Sequence, residues 1–192
     1  MRKLIVCNIM SLDGYYEGPG KDVIAMPLDM AFDPYFLQLM EAADTLLLGR
    51  TSYEGFIGFW PPMADQPDAL PVHRGIGRLY KTLHKLVVSD SLTRDDITGW
   101  ADTTEVIGRA DIAGRLAELK NAPGRDILTF GSREMWIALA ADGLVDELHL
   151  LVGAGVLADG TRLFDRPLSG IKLLEARPID DSDGSLLRYA LA

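Results

Sequence analysis

The stretch LLLGRTSYE, residues 46–54, decides how this sequence is interpreted. Its three leucines predict a buried strand that ends at Gly49, where the cation Arg50 and two hydroxyl groups follow. Glycine lets the backbone approach a ligand closely, and the free amides at a helix start favour an anion. The stretch therefore has two interpretations: an ordinary strand end with a helix cap, or a turn that binds phosphate.

Two other predicted strand ends repeat the arrangement. The stretch ILTFGSRE, residues 127–134, carries a glycine, a hydroxyl group and a guanidinium after its apolar run, and VVSDSLT, residues 87–93, places Ser89 and Ser91 after another. Parallel strands present their carboxyl ends at one edge of a sheet, so we expect the three stretches to line one crevice. Each alone is explained as a helix cap, but together they favour a dinucleotide such as NADP(H).

Short apolar runs alternate with helical patterns along the chain, which is typical of an α/β fold with a mostly parallel sheet. Strands are predicted over residues 3–10, 45–49, 85–90, 104–108, 126–130 and 146–153. Helices are predicted over residues 28–44, 51–57, 75–83, 110–121 and 132–143, and residues 58–71 are predicted to be a proline-rich loop. The tail, residues 171–192, predicts an antiparallel hairpin. No repeat or linker divides the chain, so we expect one domain over residues 1–192.

Composition excludes several classes of function. The net charge of −9 disfavours nucleic acid and anionic membranes as partners. The single cysteine, Cys7, excludes an internal disulfide and fits a reducing compartment. With neither a transmembrane-length apolar run nor a signal peptide, we expect a cytoplasmic protein. The scattered histidines His73, His84 and His149 match no metal motif, so no metal site is predicted.

The stretch GAGVLA, residues 153–158, matches the G-x-G-x-x-A dinucleotide fingerprint. A true fingerprint opens a helix that carries the pyrophosphate at its start. Here Gly160 and Pro167 follow and disfavour a helix. A glycine-rich loop between strands is the better interpretation.

With these segments in view, the sequence resembles the dihydrofolate reductase superfamily, and within it the C-terminal reductase domain of riboflavin biosynthesis proteins. The resemblance runs nearly end to end, through SLDGYYEG, LLLGRTSYEGF, KLVVSDSLT, ILTFGSREMWIALAADGLVDELHLLV and DGTRLFD. It implies a mixed, mostly parallel sheet of about eight strands. It also implies NADPH-dependent hydride transfer to a C=N or C=O bond of a small, pterin- or pyrimidine-like substrate.

The resemblance assigns a set of residues to the cofactor. Gly49, Arg50 and Thr51 would hold phosphates, and Ser89 would lie near the adenosine 2′-phosphate. The pyrophosphate would be wrapped by Gly131, Ser132, Arg133, Glu134 and Met135. Asp13 and Gly14 belong to a mobile loop over the nicotinamide.

Two departures from the family leave the substrate open. Dihydrofolate reductases proper carry Pro-Trp where this chain has Pro27 and Leu28, and the aromatic stretch EGFIGFWPPM replaces an Asp-Asp-Pro stretch of the riboflavin enzymes. Counting back from Gly49 places Asp33 where dihydrofolate reductases carry an acid. Asp33 is therefore the candidate catalytic residue, with a plain helix cap before Pro34 as the alternative. Dihydrofolate reductase itself and a non-catalytic NADP(H)-binding module remain alternative functions.

Two further predictions concern assembly and motion. The stretch GLVDELHLLVGAGVL, residues 143–157, is more apolar than a half-exposed strand requires, so we expect a homodimer. The stretch SLDGYYEGPGKD, residues 11–22, is rich in glycine, so we expect either a lid over the nicotinamide or a plain surface turn.

Overall fold

The computed structural model describes residues 1–97 and 100–191. Ten strands are assigned in that part of the chain: β1 Leu4–Ser11, β2 Tyr15–Glu17, β3 Ala43–Gly49, β4 His84–Val88, β5 Thr104–Ile107, β6 Asp126–Phe130, β7 Glu147–Gly153, β8 Thr161–Arg162, β9 Lys172–Pro178 and β10 Ser185–Ala190. The α-helices are α1 Asp33–Ala42, α2 Arg50–Met63, α3 Pro71–Thr82, α4 Ile112–Asn121 and α5 Arg133–Ala141.

Eight of these strands form one sheet in the order β5-β4-β3-β6-β1-β7-β10-β9. The first six are parallel to their neighbours, whereas β10 pairs antiparallel with both β7 and β9. The predicted α/β class, the mostly parallel sheet of about eight strands and the antiparallel C-terminal hairpin are confirmed. The short strands β2 and β8, which sequence patterns did not predict, form a separate two-stranded sheet.

Strand β3 shows how the sheet is covered on both faces. Leu46 and Leu48 point into the core beneath helices α1 to α3, while Leu47 packs with residues of α4 and α5 on the other face. All three are 0–1% exposed. Burying a leucine side chain contributes about 1.5–3 kcal/mol, so the uninterrupted apolar run reflects a strand that is buried on both faces.

The region between β3 and β4 corrects one prediction. Helix α2 continues through Pro61 and Pro62 to Met63, and α3 begins at Pro71. The predicted proline-rich loop over residues 58–71 is therefore wrong for residues 58–63, and the loop itself is limited to residues 64–70. The prolines occupy the last turn of α2, where the Ala64 amide donates to the Pro61 carbonyl oxygen. Proline lacks an amide hydrogen, but its cost falls at a helix end that packs tightly against α3.

Strand β7 accounts for the apolar stretch that motivated the homodimer prediction. It lies between β1 and β10, and most of its side chains are buried inside the sheet. Its composition is explained by this central position, and the homodimer stays a prediction. None of the described helices is both long enough and apolar enough to cross a bilayer.

Candidate functional site

The candidate site lies at the carboxyl edge of the parallel strands. Strands β4, β3 and β6 are neighbours in the sheet, and the three predicted turns follow their ends. Gly49 closes β3, Ser89 follows β4, and Gly131 follows β6. The sheet therefore brings together at one edge the three stretches that the sequence predicts to share a crevice.

Two hydrogen bonds tie the helix starts after β3 and β6 to each other. The Gly49 amide donates to Ser132 Oγ at 2.9 Å, and the Ser132 amide donates to Ser52 Oγ at 2.9 Å. These reciprocal bonds join residues at least 80 positions apart in the chain. They fix the start of α2 beside the start of α5, so two positive helix ends lie next to each other.

The backbone at the start of α5 is shaped for close approach. Gly131 and Ser132 both adopt left-handed conformations, with φ of 59° and 52°. A Cβ on Gly131 would lie 2.8 Å from Ser52 Oγ and 3.3 Å from Tyr16 Oη. Glycine is therefore required here both for its backbone conformation and for the space that its missing side chain leaves.

The starts of α2 and α5 leave main-chain donors for a ligand. Within the described part of the chain, no side chain caps either helix at its N-cap residue, Gly49 or Ser132. The first amides of a helix have no intrahelical acceptor, and such amides bind phosphate groups. The residues present thus fit a pyrophosphate, as the resemblance to NADPH-dependent reductases implies.

Arg50 is the exposed cation of this edge. Its Nε donates to Glu54 Oε1 at 2.8 Å and its Nη1 donates to Ser91 Oγ at 3.0 Å, and about half of its side chain is exposed. Thr51 beside it is also exposed. The Arg50 guanidinium is therefore accessible to an anionic group, with a serine hydroxyl at its side.

Ser89, which the resemblance assigns to the adenosine 2′-phosphate, and Ser91 differ in what their hydroxyl groups contact. Ser89 is buried, and its Oγ accepts the amides of Ser91 and Leu92 at 3.2 and 2.9 Å. Ser91 is the residue whose hydroxyl reaches Arg50. The Ser89 side chain builds the turn, and Ser91 is the better placed of the two to contact a phosphate.

The pyrophosphate assignment of residues 131–135 divides between main chain and side chains. The Arg133 guanidinium donates to the Leu163 carbonyl oxygen at 2.9 Å and pairs with Asp165 at 3.1 Å, away from the turn. Glu134 is exposed, and Met135 packs against the core beside α5. The Ser132 amide donates to Ser52 and the Arg133 amide faces the Tyr16 hydroxyl. The amides of Glu134 and Met135, and not the side chains, are therefore available to a ligand there.

Sequence reasoning missed a fourth turn at this edge, which carries another exposed cation. Gly108 follows β5, and Arg109 comes next with 77% of its side chain exposed. Its amide donates to Asp90 Oδ1 at 2.8 Å, which joins this turn to the turn after β4. The stretch VIGR, residues 106–109, repeats LLLGR with a shorter apolar run, so the signal was present in the sequence.

Asp13 is used to fasten the loop after β1. Desolvation alone would raise the pKa of Asp13. Hydrogen bonds from the Ser11 hydroxyl and from the amides of Ala158 and Leu157 outweigh this effect and lower the pKa of Asp13 to about 2. Gly14 beside it is left-handed, with φ of 88°, and its carbonyl oxygen accepts the Leu163 amide. The loop is anchored on the glycine-rich stretch after β7, which forms no helix.

Asp33 turns away from its own helix. It is the first residue of α1, and its Oδ2 lies 2.8 Å from Nε2 of His73, the third residue of α3. Desolvation raises the pKa of Asp33, and the His73 hydrogen bond opposes that shift. The alternative interpretation as a helix cap is wrong, because no side chain of the described residues caps α1. His73, which sequence reasoning treated as scattered, is its partner.

A stripe along α2 connects the phosphate turns with Asp33 and His73. Ser52, Phe56 and Trp60 are spaced four residues apart and share one face of the helix. Ser52 accepts the Ser132 amide, and a Cβ on Gly131 would lie 3.5 Å from the Phe56 ring. The Trp60 ring meets the His73 ring edge-on at 5.7 Å between centroids. We call Ser52, Phe56 and Trp60 the α2 stripe.

Tyr16 closes the other side of the turn after β6. Its hydroxyl oxygen lies near Gly131, and burial raises the pKa of Tyr16 to about 12. The ring therefore keeps a neutral hydroxyl group at physiological pH. Together with Phe56 and Trp60 of the α2 stripe it adds an apolar lining beside the helix starts, and such a lining suits a planar ring.

An α/β sheet with paired, uncapped helix starts at adjacent strand ends defines a dihydrofolate reductase-like protein. The sequence profile of the RibD C-terminal domain matches residues 2–181. This chain belongs to that family, a family of NADPH-dependent reductases.

Individual similar proteins agree with this assignment. The uncharacterized protein YyaP of Bacillus subtilis (strain 168) is 30% identical over 165 residues, which cover 85% of this chain and 80% of YyaP. A diaminohydroxyphosphoribosylaminopyrimidine deaminase/5-amino-6-(5-phosphoribosylamino)uracil reductase from Thermotoga maritima matches with a TM-score of 0.67 at 11% identity, over all of this chain and 57% of that one. Dihydrofolate reductase from Enterococcus faecalis, complexed with NADP(H) and RAB-propyl, matches with a TM-score of 0.62 at 16% identity, over 98% and 96% of the two chains. The structural matches show the fold.

Proposed function

We propose that this protein is an NADPH-dependent reductase that transfers hydride to a C=N or C=O bond of a small, pyrimidine- or pterin-like substrate. The observation that carries the proposal is the pair of hydrogen bonds between Gly49, Ser52 and Ser132, which holds the starts of α2 and α5 together. A single uncapped helix start is common, but two that are fixed side by side at neighbouring strand ends suit the two phosphates of a dinucleotide.

Each part of the edge has a role in this proposal. The first amides of α2 and α5 bind the pyrophosphate, and Arg50 with Ser91 binds the additional phosphate of NADPH. When bound, NADPH supplies the hydride. Phe56 and Tyr16 line the space beside Gly131 and exclude water from it.

The substrate class follows from the family and from the lining of the site. The Thermotoga relative is named as a reductase of 5-amino-6-(5-phosphoribosylamino)uracil. We propose a related flat heterocycle here, packed against the α2 stripe, since apolar rings favour planar ligands. The exposed Phe59 next to Trp60 extends the same aromatic surface.

Binding and turnover test the proposal separately. NADPH and NADH are titrated against the protein by fluorescence, and we expect tighter binding of NADPH because Arg50 faces its additional phosphate. NADPH oxidation is then followed with 5-amino-6-(5-phosphoribosylamino)uracil and with dihydrofolate. Binding of NADPH without oxidation by either acceptor would favour a non-catalytic NADP(H)-binding module, and equal affinity for the two cofactors would contradict the assignment of Arg50.

A further inference from the structure

Asp33 and His73 form a contact that the phosphate turns do not require. The side chains are 14% and 22% exposed, so the pair is sheltered but still reachable from outside. The two residues are 40 positions apart and belong to different helices. A buried carboxylate beside an imidazole is an arrangement that enzymes use to orient a proton-transferring ring.

The pair lies at the same edge of the sheet as the phosphate turns. Helix α1 runs directly into β3 and α3 leads into β4, so both helices start toward the carboxyl edge. The turn between β9 and β10 lies there too, because Ser185 pairs with Val152 at the end of β7. From that turn Ser182 Oγ donates to Asp29 Oδ2 at 2.6 Å, just before α1.

The α2 stripe sets the distance between the pair and the phosphate turns. Ser52 touches the turn after β6, and Trp60, eight residues later, touches His73. Eight residues of α-helix span about 12 Å. A flat substrate packed along the stripe would therefore extend from the turns to the imidazole ring.

His73 has one nitrogen committed and one available. Nε2 contacts Asp33, and across residues 1–97 and 100–191 the structure gives Nδ1 no hydrogen-bond partner. Trp60 covers one side of the ring without supplying a polar atom. An imidazolium in this position donates one N–H to Asp33 and keeps the other for a substrate.

We propose that His73 is the proton donor of the reduction and that Asp33 is the residue that positions it. This inference rests on the proposed function. As a hydride forms the new C–H bond on carbon, the π electron pair of the C=N or C=O bond moves to nitrogen or oxygen. That atom takes the proton from Nδ1 of His73, the imidazolium becomes a neutral imidazole, and water then reprotonates it.

The charges around the ring support this assignment. Helix α1 presents Asp33, with Asp29 just before the helix, and α2 presents the uncharged Trp60. The neighbouring Arg74 turns its guanidinium to the carbonyl oxygens of Pro67 and Ala69. Among the described residues the ring therefore faces carboxylates and no cation, and activity is expected to fall at alkaline pH, where a general acid has lost its proton.

The pH dependence of kcat/KM for NADPH oxidation with 5-amino-6-(5-phosphoribosylamino)uracil tests the proposal. We expect His73→Gln to lower kcat/KM by about 100-fold and to abolish the alkaline limb. Asp33→Asn should lower kcat/KM and keep the alkaline limb, because the ring is still present but loses the carboxylate that orients it. The Kd for NADPH should stay unchanged in both variants, and a merely structural pair would lower stability in both variants while leaving the alkaline limb in His73→Gln.

A binding measurement tests the proposal if the uracil compound binds but is not reduced. In the NADP⁺-bound protein, addition of the same uracil compound should shift the imidazole NMR signals of His73. The matched control is His84, which pairs with Glu105 at the other edge and should not respond. Reduction with an unchanged limb in His73→Gln, or no response of the His73 signals, would overturn the proposal. Bound NADPH would in either case leave the cofactor part of the proposed function standing.

Discussion

The two edges of the parallel sheet differ in how completely their polar groups are satisfied. At the amino edge the carboxylate of Asp44 accepts bonds from Arg2, Thr45 and the Arg125 amide. At the carboxyl edge the helix starts at Gly49 and Ser132 have no side-chain cap among the described residues. A satisfied edge holds the fold together, and an edge with free donors can bind a ligand.

Glu147 shows the amino edge at its most complete. It begins β7 and is 5% exposed. Its carboxylate contacts Lys3 Nζ at 2.5 Å, His149 Nε2 at 2.9 Å and Arg188 Nη2 at 3.2 Å. The cavity of about 370 Å³ beside these residues is lined by groups that already pair with one another. Its polar groups serve the fold, which is why the candidate site is placed at the other edge.

The largest expected effect is on the stability of the amino edge. Glu147→Gln should lower the free energy of unfolding by about 3 kcal/mol, because a nearly buried charge network loses its central carboxylate. Urea denaturation measures this loss, and the Kd for NADPH should not change. The matched control is Glu175→Gln, which also loses a bond to Arg188 but at a one-third exposed carboxylate, and should cost less than about 1 kcal/mol. Equal losses of stability in the two variants would contradict the special role of the buried carboxylate of Glu147.

The same carboxylate predicts how stability depends on pH. Burial alone would raise the pKa of Glu147, but the bonds from Lys3, His149 and Arg188 lower that pKa to about 2 from its usual 4.5. A lowered folded-state pKa contributes stability that is present above pH 4.5 and is lost as the pH falls toward 2. Over this range the wild type should lose more stability than Glu147→Gln in matched urea titrations. Parallel curves would mean that Glu147 titrates normally.

At the carboxyl edge the largest effect should come from Gly131→Ala. The left-handed backbone costs an L residue about 1–2 kcal/mol, and the new Cβ would also crowd Ser52. Gly143 offers a matched control, since its φ of 69° is similar but nothing lies within 4 Å of its Cβ position. Both alanine variants should lose stability, Gly131→Ala more because of the crowding, while only Gly131→Ala should weaken NADPH binding, by about 30-fold or about 2 kcal/mol. Equal cofactor affinity in both would place the ligand elsewhere.

A smaller effect on binding is expected from Arg50→Ala. Losing one charged hydrogen bond at an exposed position should weaken NADPH binding by about 1.5 kcal/mol, the lower end of the usual range for such bonds. Stability should stay within about 0.5 kcal/mol, because the pair with Glu54 is exposed. Arg78→Ala, an exposed position on α3, removes the same charge as a control. Fluorescence titration measures the NADPH affinity of both variants. An unchanged affinity in folded Arg50→Ala would exclude Arg50 from the site.

The smallest effect concerns the loop after β1. Its first half is anchored by Asp13 and by pairing of β2 with β8, while residues 19–25 are exposed. We expect slow amide exchange over residues 11–17 even without cofactor, and NADPH to slow exchange only in the second half. Exchange that slows evenly across residues 11–22 would support a lid that closes as one unit, and no change would leave a surface turn.

Local patterns were enough to predict the edge but not its internal contacts. Apolar runs that end on glycine identified the turns at Gly49 and Gly131, because strand ends and helix starts depend on neighbouring residues. The bond from Gly49 to Ser132 spans 83 positions and exists only once β3 and β6 are neighbours. The partner of Asp33 was missed for the same reason.

Helix α2 shows where propensity misleads. Two prolines predicted a loop, yet Trp60 stacks on Tyr80 of α3 and Pro61 is buried against the core. A Cβ on Gly77 would lie 2.6 Å from the Trp60 carbonyl oxygen, so the two helices touch through their backbones. This packing is tertiary, and it outweighs the local cost of proline.

The position of β6 also constrains the order in which the molecule can form. Strands β1 and β3 are close in the chain but never pair, since β6 lies between them. A ribosome must therefore deliver about 130 residues before the middle of the sheet can close, and the earlier strands wait with unpaired edges. Of the turns that face the proposed cofactor, the one after β3 is synthesised before β6 and the one at Gly131 is synthesised after it. The proposed cofactor site is thus complete only after β6 is in place, and a dinucleotide that bound there during synthesis would act on the last stage of folding and not on the first.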